Sequence, residues 1–301
     1  MTLRIATRAS ALARWQAERV GARLAEHARR ADVEYVYVTT TGDADQRSDL
    51  HAIGGLGVFT KEVQLAVLDG RADIAVHSAK DLPSETPAGL TLAAIPERAD
   101  PRDALAGAPL ASLPSGACIG TGSVRRRAQL AALRPDLSFG PLRGNIETRL
   151  RKRAELGYDA VVVAFAALER LGLGSEATDV LDPADVLPQV GQGALAVECR
   201  ADDRATLARL SAIDDARAHR CVVAERAFLG ELGGGCSLPC GALAQLAGDD
   251  IVLDALLASL DGVVVLRTRV QGADARDVGI TAAIDLLEGK GGRRLLEMES
   301  T

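Results

Sequence analysis

Arginine residues stand at the ends of most of the predicted strands. Arg8 closes the first strand, Arg143 follows a later one, and Arg125 and Arg126 open the helix after another. Guanidinium groups bind carboxylates and phosphates through paired hydrogen bonds. In an open α/β sheet, the carboxyl ends of parallel strands form one ligand-binding edge. The set predicts a site for a ligand with several carboxylates or phosphates, although an isolated arginine of this kind more often forms a surface salt bridge.

The helix that follows Ser123 has an unusual first turn. Three consecutive arginines, residues 125–127, oppose the helix dipole there, because a helix N-terminus favours negative charge. Such a turn indicates a bound anion. Farther along, Arg149 lies one turn into the next helix, and Arg170 follows an apolar strand.

One acidic residue stands out among these cations. Asp81 follows Lys80 and lies four residues after His77, at the end of a predicted strand. A carboxylate at an arginine-lined site can guide a proton or stabilise a cation formed during a reaction. The alternatives are a turn-forming aspartate before Leu82 and Pro83, and a histidine that is simply part of the core.

Cys236 follows three glycines, residues 233–235. Such a loop allows close backbone approach to a ligand and can present a thiol, whereas a buried small residue is the simpler interpretation. The other four cysteines lie in apolar patterns and are predicted to be core residues: Cys118, Cys199, Cys221 and Cys240. The cysteine and histidine spacing predicts no metal site, and an odd cysteine count favours reduced thiols in a cytoplasm.

The elements that must position these residues alternate between strands and helices. Strands are predicted at 3–7, 33–40, 73–77 and 90–95, and helices at 10–26 and about 60–68, with Ser10 as an N-cap. A second series has strands at 118–121, 137–142 and 160–164 and helices at 123–133 and 145–156. Stretches at 96–114 and 187–193 are typical of domain boundaries. The alternation predicts α/β units with mainly parallel sheets.

The pattern changes in the last third of the chain. A strand at 194–199 precedes a long helix at about 215–229, strands at 241–246, 251–259 and 263–270, and a helix near 275–287. Strands followed by a helix in this way predict a separate small α+β domain.

Composition narrows the function classes. The chain has 301 residues, of which 48% are apolar and 25% charged, as in ordinary globular proteins. A net charge of −6 and an aromatic content of 3% argue against a nucleic-acid or anionic-membrane binder. The longest apolar run, at 160–168, is too short to span a membrane. The sequence contains neither a P-loop, nor a dinucleotide fingerprint, nor a GxSxG motif, which disfavours kinases, dehydrogenases and serine hydrolases.

The first twenty residues are rich in arginine and resemble a transit peptide, but they are predicted to be a folded strand and helix. Only four of the 35 basic residues in the chain are lysine. A GC-rich genome explains the number of arginines and not their placement.

Six segments together resemble the porphobilinogen deaminase family. They are residues 3–10 (LRIATRAS), 73–83 (DIAVHSAKDLP), 120–126 (GTGSVRR), 142–145 (LRGN), 190–193 (VGQG) and 234–236 (GGC). Thr148 with Arg149, and Pro239, match as well. The segments occur in order over nearly the whole chain, and their combination is specific although each alone is weak.

The resemblance implies an α/β fold with two lobes like those of periplasmic binding proteins. Their mainly parallel sheets would be joined by a two-stranded hinge, with a small C-terminal α+β domain that carries the cysteine loop. The implied domains are residues 1–96 with 194–212, residues 102–187, and residues 216–301. The strand at 194–199 would then return to the first domain.

The resemblance also implies an activity. Family members are transferases of tetrapyrrole and haem biosynthesis that join four porphobilinogen molecules head to tail and release four molecules of ammonia. Hydrolysis then releases hydroxymethylbilane. They use a dipyrromethane cofactor, and Cys236 matches the cysteine that holds it covalently. Asp81 matches the catalytic aspartate. The matched cofactor-binding residues are Lys80, Ser123, Arg125, Arg126 and Arg143, and the matched substrate-binding residues are Arg8, Ser10, Arg149 and Arg170.

The chain departs from the family pattern at three places. Ala52 and Leu56 replace loop lysines, Gly122 replaces a frequent hydroxyl residue, and Cys240 replaces an aliphatic one. A non-catalytic anion-binding module with the same lobes remains the alternative function. Asp81 and the loop before Cys236 distinguish the two functions, since a binding module needs neither. The expected protein is a cytoplasmic monomer without nucleic-acid or membrane partners.

Overall fold

The computed structural model describes residues 2–27, 32–40, 42, 57, 59–233 and 238–299. The chain forms two compact units. The first comprises residues 1–99 and 193–220, and the second comprises residues 100–192 and 221–301. Among the described residues, no helix is both long enough and apolar enough to cross a membrane.

A five-stranded sheet forms the centre of the first unit. Its strands are β1 (Leu3–Arg8), β2 (Val33–Val38), β3 (Ile74–Ser78), β4 (Leu90–Ala94) and β10 (Leu195–Arg200). The order is β2-β1-β3-β10-β4, with β1 parallel to β2 and β3, and with β10 antiparallel to β3 and β4. Four strands therefore run in one direction, and β10 is the reversed strand. The helices are α1 (Ala11–His27), α2 (Lys61–Leu68) and α6 (Arg204–Leu210).

Helix α1 packs on this sheet through one face. Ala13, Ala17, Val20 and Leu24 are buried, and their spacing of three or four residues is the period of a helix face. Ser10 caps the helix as predicted, because the Ala13 N–H donates to Ser10 Oγ at 3.4 Å. The chain therefore turns from β1 into α1 within two residues.

A second five-stranded sheet lies in the second unit. Its strands are β5 (Asp103–Ala106), β6 (Cys118–Gly120), β7 (Ser138–Gly140), β8 (Ala160–Ala164) and β9 (Asp179–Val180). The order is β7-β6-β8-β5-β9, with β6 parallel to β7 and β8, and with β5 antiparallel to β8 and β9. Every residue of β8 is buried, as expected of a central parallel strand. The helices are α3 (Val124–Leu133), α4 (Ile146–Glu155) and α5 (Phe165–Arg170).

An antiparallel three-stranded sheet completes the second unit. Its strands are β11 (Cys240–Ala247), β12 (Asp250–Ala258) and β13 (Val265–Gly272), in the order β11-β12-β13. The helices of this region are α7 (Ala216–Glu231), α8 (Ala275–Ile284) and α9 (Gly292–Glu299). Phe228 of α7, Leu253 of β12 and Ala282 of α8 are fully buried in one apolar cluster.

These observations confirm the predicted fold class: two α/β sheets whose strands are mainly parallel, and a small α+β region near the C-terminus. The chain passes from one unit to the other after residue 99 and again after residue 192. The segments that precede the first point and follow the second pair with each other: Arg98 forms a β-bridge with Ala194, and the Ala99 N–H donates to the Gly193 carbonyl at 3.0 Å. The exact bounds of a three-domain division stay a prediction.

One boundary predicted from the sequence contains a central strand. The stretch 96–114 includes β5, which lies between β8 and β9 in the second sheet. The strand has only four residues, and the prolines and aspartates around it mask its apolar pattern. Its burial comes from strands that lie more than fifty residues later in the sequence.

Candidate functional site

A pocket in the first unit lies where β1 and β3 end. The two strands are parallel neighbours, with Ala6 paired to Ala75, so the residues that follow them meet at one edge. Among the lining residues are Arg8, Ser10, Gln16, Phe59, His77 and Asp81. The structure thus brings together the arginine, the serine and the aspartate that the sequence singled out in this part of the chain.

Asp81 is carried by a single 3₁₀ turn, Ala79–Asp81, directly after β3. The Leu82 N–H closes the turn by donating to the Ala79 carbonyl at 3.3 Å, and the Ala79 N–H donates to the Ala194 carbonyl at 3.0 Å. Asp81 and Lys80 are both half-buried. The sequence left open whether Asp81 forms a turn or has a chemical role. The structure shows that the turn itself places this carboxylate at the pocket.

Two contacts order the pocket wall. The Arg8 guanidinium carbon lies 4.4 Å from the centroid of the Phe59 ring, a cation–π contact that leaves the charge of the group intact. The buried Gln16 amide donates to Ser78 Oγ at 2.7 Å and connects α1 to the end of β3. A cation and a carboxylate thus share a pocket whose polar neighbours are fixed.

A second carboxylate lies deeper in the same unit. Glu198 of β10 is fully buried, and the Gln64 amide donates to its Oε2 at 2.8 Å. His77 Nε2 lies 3.2 Å from the same oxygen, an ion-pair distance without hydrogen-bond alignment. His77 is therefore both a core residue, as the simpler interpretation held, and a residue of the pocket wall. Glu198 is not among the residues predicted from the sequence, and its only signal there is an acid among the apolar residues at the centre of a strand.

In the second unit, Asp103 holds two of the predicted arginines. Arg125 Nη2 donates to Asp103 Oδ2 at 2.8 Å, and Arg126 donates to Oδ1 through Nε at 3.0 Å and Nη2 at 2.6 Å. The Gln192 amide donates to Oδ1 at 2.8 Å. The carboxylate is completely buried, and the two arginines are 3% and 5% exposed. A carboxylate of β5 in the same chain therefore compensates the arginines in the first turn of α3, and the ligand anion expected at this turn stays a prediction.

Burial and the neighbouring charges shift the pKa values of Asp103 and Arg125 in this cluster. Burial alone raises the pKa of Asp103, but the charges of Arg125 and Arg126 and the hydrogen bonds of Arg126 and Gln192 outweigh burial and hold that pKa far below its usual 3.8. Burial, and then the charge of Arg126, lower the pKa of Arg125 against the opposing effect of Asp103. A guanidinium nevertheless stays protonated. The cluster therefore holds two cations and one anion.

Ser123 lies at the start of α3, the helix that carries Arg125 and Arg126, and Arg143 and Arg149 lie near the start of α4. Ser123 caps α3, since its Oγ accepts from the Arg126 N–H at 3.4 Å. Arg149 Nε donates to the Gly144 carbonyl at 2.8 Å. Arg143 Nη1 is buried without a hydrogen-bond partner among the described residues, although the residue as a whole is half-buried. The roles of these three residues toward a ligand stay predictions.

The remaining predicted residues are placed as follows. Arg170 is the last residue of α5 and is buried at 9% exposure. Cys236, Ala52 and Leu56 lie outside the described residues. Cys240, four positions after Cys236, is buried at the start of β11, as predicted for a core cysteine.

Nearly the whole chain matches one protein family. Residues 3–208 match the family model described as porphobilinogen deaminase, dipyromethane cofactor binding domain, and residues 219–288 match the porphobilinogen deaminase C-terminal domain. The chain is 48% identical over 299 residues to porphobilinogen deaminase of Roseiflexus sp. strain RS-1, with 98% of each chain covered. It is 45% identical to the same-named protein of Syntrophus aciditrophicus, again with 98% of each covered.

A solved structure of an ancestral cationic amino acid solute binding protein is also similar to this chain. The match covers 70% of this chain and 88% of that one, at 15% identity and a TM-score of 0.42.

Proposed function

The chain belongs to the porphobilinogen deaminase family, and on that premise we propose that it is the transferase that condenses porphobilinogen into hydroxymethylbilane in tetrapyrrole biosynthesis. The observation that carries the proposal is similarity over nearly the full length to proteins of that name, one of which is 48% identical to this chain. The cofactor-binding-domain model spans both the Asp81 pocket and the Arg125–Arg126 cluster. A non-catalytic binding module is not favoured by these matches.

Each condensation makes and breaks one bond at the same carbon. The aminomethyl carbon of porphobilinogen gains a bond to the next pyrrole ring, its carbon–nitrogen bond breaks, ammonia leaves, and the attacked ring loses a proton. Positive charge develops on the pyrrole as the amine departs. Asp81, at the pocket edge, stabilises that charge and accepts a hydrogen bond from a pyrrole N–H. The half-exposed turn gives the substrate access to this carboxylate.

The arginines hold the carboxylates of the substrate and of the growing chain. Every pyrrole unit carries an acetate and a propionate, so the chain accumulates negative charge as it lengthens. We assign Lys80, Ser123, Arg125, Arg126 and Arg143 to the cofactor. We assign Arg8, Ser10, Arg149 and Arg170 to the incoming and growing chain.

The donor set in the second unit fits a dipyrromethane cofactor. Arg125 and Arg126 outnumber the single carboxylate that they share, and buried Nη1 of Arg143 has no hydrogen-bond partner within the described ranges. Buried positive charge with spare N–H groups is suited to acetate and propionate side chains. When bound, the cofactor supplies a covalent primer for chain growth, and we assign its attachment to Cys236.

The intact mass of the purified protein tests this function. We expect a covalent excess equal to two condensed pyrrole units, and we expect Cys236→Ser to lack it, because a hydroxyl is a far poorer nucleophile than a thiolate. Cys240→Ser is the matched control and should keep the excess. A wild-type protein that carries no adduct and gives no tetrapyrrole with porphobilinogen would overturn the proposal. An adduct on Cys240 would move the attachment site.

We further propose a cytoplasmic, monomeric enzyme with three domains: residues 1–96 with 194–212, residues 102–187, and residues 216–301. The odd number of cysteines supports a reducing compartment. Pairing of β10 with β3 and β4 supports the return of the chain to the first domain. Gel filtration with light scattering tests the monomer.

A further inference from the structure

Among the described residues, Asp103 is the only acid whose carboxylate accepts hydrogen bonds from Arg125 and Arg126. Its two oxygens receive four donors, three from the guanidinium groups and one from Gln192, and none of its surface is exposed. A carboxylate in this position costs desolvation free energy, which only close cationic partners offset. A buried acid therefore holds two arginine side chains in fixed positions.

Backbone carbonyls complete the frame around the two guanidinium groups. Arg125 Nη1 donates to the Leu187 carbonyl at 2.7 Å, and Arg126 Nη1 donates to the Val162 carbonyl at 2.9 Å. The Gln129 side chain holds Leu187 from both sides, donating to its carbonyl at 3.0 Å and accepting from its N–H at 2.7 Å. Both arginines are thus fixed at several atoms.

The loop that carries Gln192 is itself anchored. The Gln192 amide donates to the Pro101 carbonyl at 2.7 Å as well as to Asp103. The fully buried Glu225 of α7 accepts from the Gly191 N–H at 2.7 Å and from the Ala244 N–H at 2.8 Å. Hydrogen bonds from the neighbouring residues Gly191 and Gln192 therefore connect Asp103, through Glu225, with β11, the strand that begins four residues after Cys236.

We propose that Asp103 is a positioning residue that orders Arg125 and Arg126 before any pyrrole carboxylate binds. The inference rests on the proposed function and adds a residue to it. A free arginine side chain loses rotamer entropy when it binds a ligand, and a side chain that is already ordered avoids this cost. Arg125 Nε has no hydrogen-bond partner among the described residues, so the ordered pair retains donor capacity.

A competing role makes the opposite prediction. If Asp103 only neutralised the arginines, its negative charge would compete with pyrrole carboxylates, and its removal would tighten their binding. If Asp103 positions the arginines, the loss of its charge weakens binding. Asp103→Asn separates the two roles, because it preserves the shape of the side chain and removes its charge.

The experiment follows adduct formation on apo-protein produced in cells that lack porphobilinogen. Intact mass is measured over time at several porphobilinogen concentrations, at a temperature at which circular dichroism shows folded protein. For Asp103→Asn we expect the half-saturating concentration to rise about 10- to 100-fold, the effect of weakened charge-assisted hydrogen bonds, with a smaller change in the maximal rate. A purely structural role would lower the fraction of reactive protein and leave the half-saturating concentration unchanged.

Asp100→Asn is the matched control. Asp100 lies three residues before Asp103, and its carboxylate pairs with Arg102 at 2.6 Å in a partly exposed position. We expect its half-saturating concentration to change less than about twofold, as is typical of a surface pair. Asp103→Ala with added formate, which restores a carboxylate to the site, should recover part of the wild-type behaviour.

Gln192→Ala keeps every charge and removes one donor to Asp103, so it decides the question if Asp103→Asn fails to fold. We expect a rise of a few-fold in the half-saturating concentration. An unchanged or lower half-saturating concentration in the folded variant would overturn the inference while wild-type adduct formation upholds the proposed function. Absence of an adduct on the wild-type protein would overturn the proposed function itself.

Discussion

The two five-stranded sheets have the same pattern of strand directions, but their buried acids have different partners. Each sheet contains four strands in one direction and one reversed strand, β10 in the first and β5 in the second. Each reversed strand carries a fully buried acid, Glu198 or Asp103. Glu198 contacts the Gln64 amide and His77, whereas Asp103 contacts two guanidinium groups. The same pattern of strand directions therefore supports two different charge arrangements.

The different partners of the two buried acids are consistent with different chemical roles for the two units. The Arg125–Arg126 cluster has one more cation than anions, and so it is suited to binding carboxylates. The first unit presents Asp81 at its pocket, where a carboxylate can stabilise a developing cation. Because residues at the strand ends can change without altering strand order, one sheet topology can provide both functions.

Asp81→Asn should produce the largest change and would test the role of the first unit. We expect turnover to fall by about 10²- to 10⁴-fold, because the amide keeps the shape of the side chain and loses the charge. Thermal unfolding should be nearly unchanged, since Asp81 is half-exposed. Asp69→Asn, at a surface position with 58% side-chain exposure, is the control and should retain activity. Wild-type turnover in Asp81→Asn would contradict the role of the first unit in stabilising a developing cation.

Arg126→Leu should destabilise the second unit more than Arg8→Leu destabilises the first. The loss of Arg126 leaves Asp103 buried with one cation, and breaking such a pair costs about 3–5 kcal/mol of unfolding free energy. Arg8 is half-exposed, and its contact with Phe59 contributes less than about 1 kcal/mol. Urea denaturation of the two apo-proteins measures both values. Equal losses of unfolding free energy in the two variants would contradict this difference between the units.

Arg149→Leu would sharpen the comparison within the second unit, because Arg149 is only half-buried. We expect the adduct to form normally and the Michaelis constant to rise about 10- to 100-fold, or elongation to stop at an intermediate length. The loss corresponds to about 1.5–3 kcal/mol for one charge-assisted hydrogen bond. Mass spectrometry after limited substrate addition measures the chain lengths. The same distribution as wild type would return Arg149 to a surface role.

Acid stability should show the smallest effect. The folded-state pKa of Asp103 is lowered, so its contribution to stability is present above the unfolded value near 3.8 and is lost as pH falls below it. One such group changes the slope by up to about 1.4 kcal/mol per pH unit. Urea denaturation between pH 4 and pH 2.5 should give a shallower slope for Asp103→Asn. The same slope in Asp103→Asn as in the wild type would contradict the assignment to Asp103.

Most of the fold could be predicted from local patterns. Strand β8 reads as a continuous apolar run, and α1 shows a helical period with a serine cap, so each is visible within one short segment. Strand β5 was missed because four residues between prolines carry too weak a local signal. Its strand character comes from hydrogen bonds with β8 and β9.

The candidate site was predictable in its residue types and less so in its partners. Arg125 and Arg126 were identified by their place in the first turn of a helix, and an anion was expected beside them. No local feature indicates Asp103 as that anion, because it lies more than twenty positions earlier, in a stretch whose composition is typical of a domain boundary. Glu198 escaped notice for a similar reason, since its partner Gln64 lies 134 positions away.

The sequence by itself determined the alternation of strands and helices, the helix caps, the arginines at strand ends and the motifs that identify the family. These features depend on neighbours within a few residues, whose geometry the backbone fixes locally. Only the tertiary structure decided which acid compensates which cation, because burial and pairing arise from segments that are distant in the chain. Desolvation acts on the packed molecule, and it makes Asp103 the partner of two arginines that the sequence alone would leave open to any anion.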